Sequence, residues 1–147
     1  MNVEEFRKKI KIDLRIVVDN QIFKIEQLVK FRYDDGSFYI KCYLQNGFVL
    51  ADDLNDNIFV FVKEIQSDIQ LPFSENLEFD GKKFEFLFEA HAVAEEIWGK
   101  ELFKKSEGEK FWDYKSEDES YLSLGIHDET GKRQDFYGKI IKDVEFL

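Results

Sequence analysis

A chain of 147 residues with 44% hydrophobic content and 16 phenylalanines has the material for one substantial core, and its length suits a single domain. Its 35% charged residues and single proline exclude a disordered or low-complexity chain, and no apolar run approaches the ~18 residues of a membrane-spanning helix. A net charge of −10 and a pI of about 4.7 oppose a phosphate backbone, so no nucleic-acid partner is expected.

The opening stretch, MNVEEFRKKIKIDLRIVV, mixes charges into its apolar positions and lacks the apolar stretch of a secretory signal, so a cytoplasmic location is expected. Its basic run FRKKIK is short, and Asp13 follows it. Period-two alternation then begins at Ile12, Leu14, Ile16 and Val18, as a strand requires. Phe23, Ile25, Val29, Phe31 and Tyr33 hold one parity of the next segment, and Asp34-Asp35-Gly36 supplies a turn. Phe38, Ile40, Cys42 and Leu44 mark the following strand. Asn46-Gly47 is the strongest hairpin dipeptide in the chain. FVLADD, an acidic Asn-rich turn at 55–57 and IFVFVKEI complete a meander of about five strands.

Residues 67–75 contain Pro72 and lose the alternation, so they read as the junction between sub-halves 1–66 and 76–147 of one domain spanning 1–147. Asp80-Gly81 turns into KFEFLFEAHAVA, where Phe84, Phe86, Phe88, Ala90, Ala92 and Ala94 fall on one parity. Ala90, Val93, Ala94, Ile97 and Trp98 also have helical spacing. The strand is preferred over 90–103 because six consecutive even positions are apolar and Gly99 interrupts any helix. A Ser-Glu-Gly turn, FWDYKSEDESYLSL, the turn DETGKR and DFYGKIIKDVEF follow. The two halves echo one another loosely, each an aromatic-rich strand leading to an apolar strand with a lysine. The fold expected is all-β with little helix. It comprises two antiparallel meander halves, a candidate pseudo-repeat, arranged as a sandwich or as partly open barrels.

Within FWDYKSEDESYLSL, a hairpin closing about Asp118 sets Trp112 opposite Leu124, Tyr114 opposite Leu122 and Asp113 opposite Ser123. A serine nucleophile needs a base within hydrogen-bond reach. His127 lies ~13 Å along the same strand at ~3.3 Å per residue, and no nucleophile elbow surrounds Ser123. The Asp113/Ser123 pair is therefore read as structural, on a buried face, and no catalytic residue is assigned. One cysteine, Cys42, and two dispersed histidines match no disulfide or metal spacing. The Asp52–Asn57 cluster lacks the ladder of a calcium loop. No metal and no cofactor are assigned. Trp98, Trp112 and Tyr137 are candidates for an exposed aromatic binding face.

The second half resembles the bacterial domain of unknown function 4178 family. The likeness rests on an aromatic-opening strand at Phe84, a glycine-ended turn at Gly99, the pair Asp113-Tyr114, the strand Tyr121-Leu122-Ser123, and Tyr137-Gly138. The hairpin GSFYIKCYLQNGFVLADDLNDNIFVF extends it loosely, to about residues 15–147. Leu124-Gly125-Ile126 stands where the family usually carries Glu and an aromatic. The resemblance implies a bacterial source and no known activity, with a hint of a partner near a membrane.

Three functions are carried forward. The favoured one is a non-enzymatic module binding another protein, basic or membrane-associated, through a sheet face or edge, with an exposed aromatic patch as its mark. The second is a small-ligand binder or hydrolase using carboxylates in a β-barrel cleft, which predicts a deep pocket with perturbed acids. The third is an acidic inhibitor or immunity-type protein for a basic partner.

Overall fold

The computed structural model describes residues 1–147. A short helix, α1 (Val3–Lys9), precedes eleven strands. They are β1 (Arg15–Val18), β2 (Gln21–Tyr33), β3 (Phe38–Leu44), β4 (Phe48–Asp53), β5 (Ile58–Ile65), β6 (Asn76–Phe79), β7 (Lys82–Gly99), β8 (Gly108–Ser116), β9 (Ser120–His127), β10 (Arg133–Ile141) and β11 (Glu145–Phe146). The protein is all-β. Residues 90–99 are strand, and 66–75 form an irregular strap over the barrel exterior.

Neighbouring strands run β2-β3-β4-β5-β10-β9-β8-β7, and β7 pairs back onto β2, all antiparallel. The sheet thus closes into an eight-stranded barrel, where alternation alone leaves a sandwich or an open barrel equally allowed. β1 hairpins onto the start of β2, β6 hairpins onto the start of β7, and β11 flanks β1. Asp19-Asn20 and Asp80-Gly81 make those two tight turns with positive φ at both positions, the geometry that matches strand twist. Asn46-Gly47 turns β3 into β4 in the same backbone region.

The two long strands change faces partway. In β2 the pairing with β3 passes from Ile25↔Leu44 to Gln27↔Tyr43, leaving Glu26 as an extra residue. Phe23 and Ile25 consequently pack in an outer cluster, whereas Val29, Phe31 and Tyr33 join the barrel interior. In β7 the pairing with β8 passes from Phe86↔Tyr114 to Phe88↔Asp113, leaving Leu87 as the extra residue. Phe84 therefore packs outside with Tyr114, Leu122 and Leu124, while Phe88, Ala90, Ala92 and Ala94 face inward. The single parity expected of Phe84–Ala94, like that of Phe23–Tyr33, fails at one bulged residue, because a bulge exchanges the faces of the side chains beyond it. A further bulge at Glu95 exchanges them again in β7. The strand expected from Ile12 starts only at Arg15.

α1 covers the outer face of β3–β5. Val3 and Phe6 are fully buried, with Phe6 edge-on to Phe59 at 5.1 Å between ring centres. Asn2 caps the helix by accepting the Glu5 backbone N–H at 2.9 Å, with acids in its first turn and bases in its last, as the helix dipole favours. Arg7 clamps the helix down through Asp52 (2.7 and 3.1 Å) and the Phe38 carbonyl (2.9 Å).

Gly138 in β10 lies where the backbone of β5 crowds it. An added Cβ would sit 2.2 Å from the Phe61 carbonyl oxygen and 2.6 Å from the Val62 Cα. Since both neighbours are backbone, Gly138→Ala is expected to lower stability by about 1–3 kcal/mol. A urea midpoint equal to that of the parent chain would refute this.

Candidate functional site

The inward-facing residues of a strand are every second one, and on β3 these are Tyr39, Lys41 and Tyr43. On β8 they are Glu109, Phe111 and Asp113, and on β9 Tyr121 and Ser123. On β7 the inward positions are Phe88 followed by alanines, of which Ala90 borders space that a larger side chain would fill. The result is a cavity of about 1060 Å³ within the barrel. It reaches the exterior between the 34–37 turn, the 54–56 turn and the 87–91 segment of β7, all of which line it. Elsewhere in the interior, the 100–107 loop folds Phe103 inward, edge-on to Phe31 at 5.1 Å. Buried Gln27 holds that loop twice, donating to the Phe103 carbonyl (2.7 Å) and accepting its N–H (3.0 Å).

An aromatic wall runs along the cavity. Tyr39 lies between Tyr33 (5.1 Å) and Phe111 (6.0 Å), and Phe111 meets Phe88 edge-on (6.1 Å). Beside that wall is Asp113, only 6% exposed. Tyr121 donates its hydroxyl hydrogen to Oδ2 and Ser123 donates to Oδ1 at 2.5 Å. Burial pushes the Asp113 carboxyl up to about 6, against the pull of those two hydrogen bonds and of Lys41. Deeper in, Lys41 and Glu109 form a buried pair at 3.3 Å, and the Tyr39 hydroxyl donates to the same Glu109 oxygen at 3.2 Å. Burial is the largest single influence on Lys41 and works to lower its pKa, but Glu109 and Tyr43 together hold the ammonium above its ordinary value.

At the rim, His91 of β7 bridges Asp34 (2.9 Å) and Asp128 (2.6 Å). Those two carboxylates raise its pKa, and the ring ties β7 to two turns.

The hairpin register read from the sequence is present: Trp112 faces Leu124, Tyr114 faces Leu122 and Asp113 faces Ser123. Asp113, Tyr121 and Ser123 meet in the cavity. Tyr114 and Leu122 point to the opposite face, where the Tyr114 hydroxyl donates to the Ser74 carbonyl at 2.8 Å and fastens the strap. Tyr137 packs edge-on to Phe79 and donates to Asp80 at 2.9 Å. Trp112 stands edge-on to Phe73 of the strap at 4.9 Å. Trp98, 41% exposed, joins no cluster. The acidic 52–57 turn is used structurally: Asp52 holds Arg7, Asp53 accepts the Asp56 N–H, and Asn57 accepts the Val3 N–H. His127 lies against Glu107 (2.7 Å) and Phe103, away from Ser123's partners.

Sequence reasoning missed Lys41, Glu109, Tyr33 and Tyr39. Lys41 did carry a signal, since a lysine inside FYIKCYL must find a partner if its strand is buried. Compared with family models, curated proteins and solved structures, the chain finds no match. No helix is long and apolar enough to cross a membrane.

The raised Asp113 pKa has a signed consequence. A carboxyl that titrates near 6 when folded and near 3.8 when unfolded binds more protons in the folded state between those values. Its contribution is thus fully present below 3.8 and is lost as pH rises through about 6. Asp113→Asn, which carries no charge, is expected to match the parent chain at the acidic end and to exceed its stability above pH 6, by roughly 1–3 kcal/mol. Urea titrations across that range measure the difference. A variant less stable at every pH would show that the carboxylate is a net support of the fold.

Proposed function

We propose that this protein binds a small, largely apolar molecule inside its barrel. The observation that carries this is the cavity itself: about 1060 Å³, half of its lining residues hydrophobic, with a few convergent polar groups. An eight-stranded barrel is just wide enough either to fill with side chains or to hold one small ligand. Here the barrel is left unfilled beside Ala90 of β7. Drug-sized ligands occupy clefts of roughly 300–1,000 Å³ lined in this way. Leu54 and Leu87, 44% and 43% exposed, stand at the opening, where an apolar ligand would pass.

Binding is favoured over hydrolysis because the polar groups are already engaged with one another. Both Asp113 oxygens accept hydroxyl hydrogens, and Glu109 is committed to Lys41 and Tyr39. Capture of a protein through a sheet edge has less to work with, since closure leaves only β6 and β11, of four and two residues, as edges.

The two halves are also proposed to be a duplicated unit. In each, a short strand hairpins onto a long bulged strand that continues into three meander strands. The halves join antiparallel at β2–β7 and at β5–β10, as a two-fold arrangement would have it. On that reading the cavity lies between two copies of one ancestral meander. The likeness to the domain of unknown function 4178 family belongs to the same proposal and adds no ligand to it.

N-phenyl-1-naphthylamine, a neutral dye that brightens in apolar surroundings, is expected to bind one equivalent per chain. Ala90→Phe, placed in the cavity beside Phe111, is expected to abolish the signal while leaving the circular dichroism spectrum and melting temperature near the parent values. Unchanged dye binding by a folded Ala90→Phe variant would remove the cavity as the binding site.

A further inference from the structure

We infer that the ligand of this cavity is an organic cation: an ammonium or similar group joined to an apolar body, its charge seated between Asp113 and the aromatic wall. This rests on the cavity being a ligand site, and it adds the charge of what enters.

Three independent observations converge on it. The first is the balance of charge, since eight carboxylates line the cavity against three permanent cations. Two of those cations are spent within the protein. Arg7 is bidentate on Asp52, and Lys41 pairs with Glu109 while its ammonium lies 4.6 Å from the centre of the Phe136 ring and 5.0 Å from that of Tyr43. Asp35, Asp53, Asp56 and Asp113 line the cavity with no cation in ion-pair reach. The field inside is therefore negative, and a low-dielectric barrel wall concentrates it.

The second is the position of Asp113. It is the one buried carboxylate in the cavity with hydroxyl partners and no cation of its own. Leaving a charge so buried is costly, and its hydroxyl partners offset only part of that, as the upward displacement of its titration records. A ligand cation would supply the missing countercharge and shift the carboxyl back toward its ionised form.

The third is the wall. Tyr33, Tyr39, Phe88 and Phe111 form a continuous run of rings along the lining, on the same strand face as Asp113, two residues from Phe111. Ring faces attract cations through their quadrupoles, and arrays of them are a recurrent means of holding ammonium groups. Lys41 already uses this principle deeper in the barrel. An anionic ligand would find only Lys115 unpaired, or would have to displace Glu109 from Lys41, and would pass the acidic rim in either case.

The test is competition against N-phenyl-1-naphthylamine by three compounds of one shape: 4-phenylbutylamine, 4-phenylbutanol and 4-phenylbutanoate. At neutral pH the amine is expected to displace the dye roughly tenfold or more better than the alcohol, with the carboxylate weakest. In Asp113→Asn the amine's advantage over the alcohol is expected to fall to a few-fold or less, with alcohol affinity kept. Asp53→Asn, in the half-buried lining, should reduce it by a smaller factor and serves as the second variant. Dye binding with the alcohol or carboxylate ahead would overturn the inference and leave the ligand cavity standing. An amine advantage undiminished in both variants would overturn it equally. Absence of dye binding, together with no heat of binding for any of the three compounds, would remove the cavity reading and this one with it.

Discussion

Everything in this protein depends on the residues that its hydrogen-bond ladders skip, among them Glu95 of β7, where the pairing with β2 passes from Lys30↔Glu96 to Phe31↔Ala94. Glu26 in β2 and Leu87 in β7 are each one residue too many for the partner strand. Because side chains alternate with period two, one extra residue exchanges the inner and outer faces of all that follows. Each long strand therefore serves two cores, with its first part facing the outer clusters and its second part the barrel interior. The bulges also bend and overtwist their strands, which lets β7 swing round to pair with β2 and complete the ring. Gly99 marks how close that approach is: its φ is +93°, and a Cβ there would stand 2.4 Å from the Glu26 carbonyl. Lys100 instead donates its N–H to that carbonyl at 2.9 Å, so the bulge in one long strand is satisfied by the end of the other.

Closure then decides what can happen inside. A ring of eight strands encloses a fixed width, and whether it is solid or hollow depends on side-chain volume. Large aromatics from β2, β3, β8 and β10 fill part of it, and Phe103 from the 100–107 loop fills more. Ala90 of β7 does not fill its share. Into the remaining space project charges that a purely structural core would avoid, Lys41, Glu109 and Asp113 among them. The Lys41–Glu109 pair is mutually compensated. Asp113 is compensated only by hydroxyls, and a folded protein that keeps such a carboxylate gives up stability for it. Other buried carboxylates show the contrast: Asp52 with Arg7 at the edge of the cavity and Asp135 with Arg133 on the outer face are each matched by a guanidinium.

Local chemistry was plain in the sequence wherever it acts over a few residues. The strands, the turns at Asn46-Gly47 and Asp80-Gly81, and the irregular stretch near Pro72 follow from alternation and from residues that tolerate positive φ. The register of the β8–β9 hairpin follows from its short turn, so Asp113 and Ser123 could be paired without any structure. α1 left a fainter trace in Asn2 with Glu5 three residues on, a capping pattern in a stretch too short and too charged to mark a helix by apolar periodicity.

What the sequence by itself determined is thus an all-β chain of two meanders with one polar hairpin face turned inward. Tertiary structure alone decided that the meanders close on each other, that Phe84 and Phe88 part company, and that Tyr33, Lys41 and Glu109 converge on the Asp113 face from strands up to some eighty residues apart. The reason is physical. Alternation specifies which residues share a face, but a single bulged residue reverses that assignment with no compositional mark, and a cavity is a volume left over after distant strands have met. Neither is a property of any local stretch, so the hairpin could be read in advance and the space it faces could not.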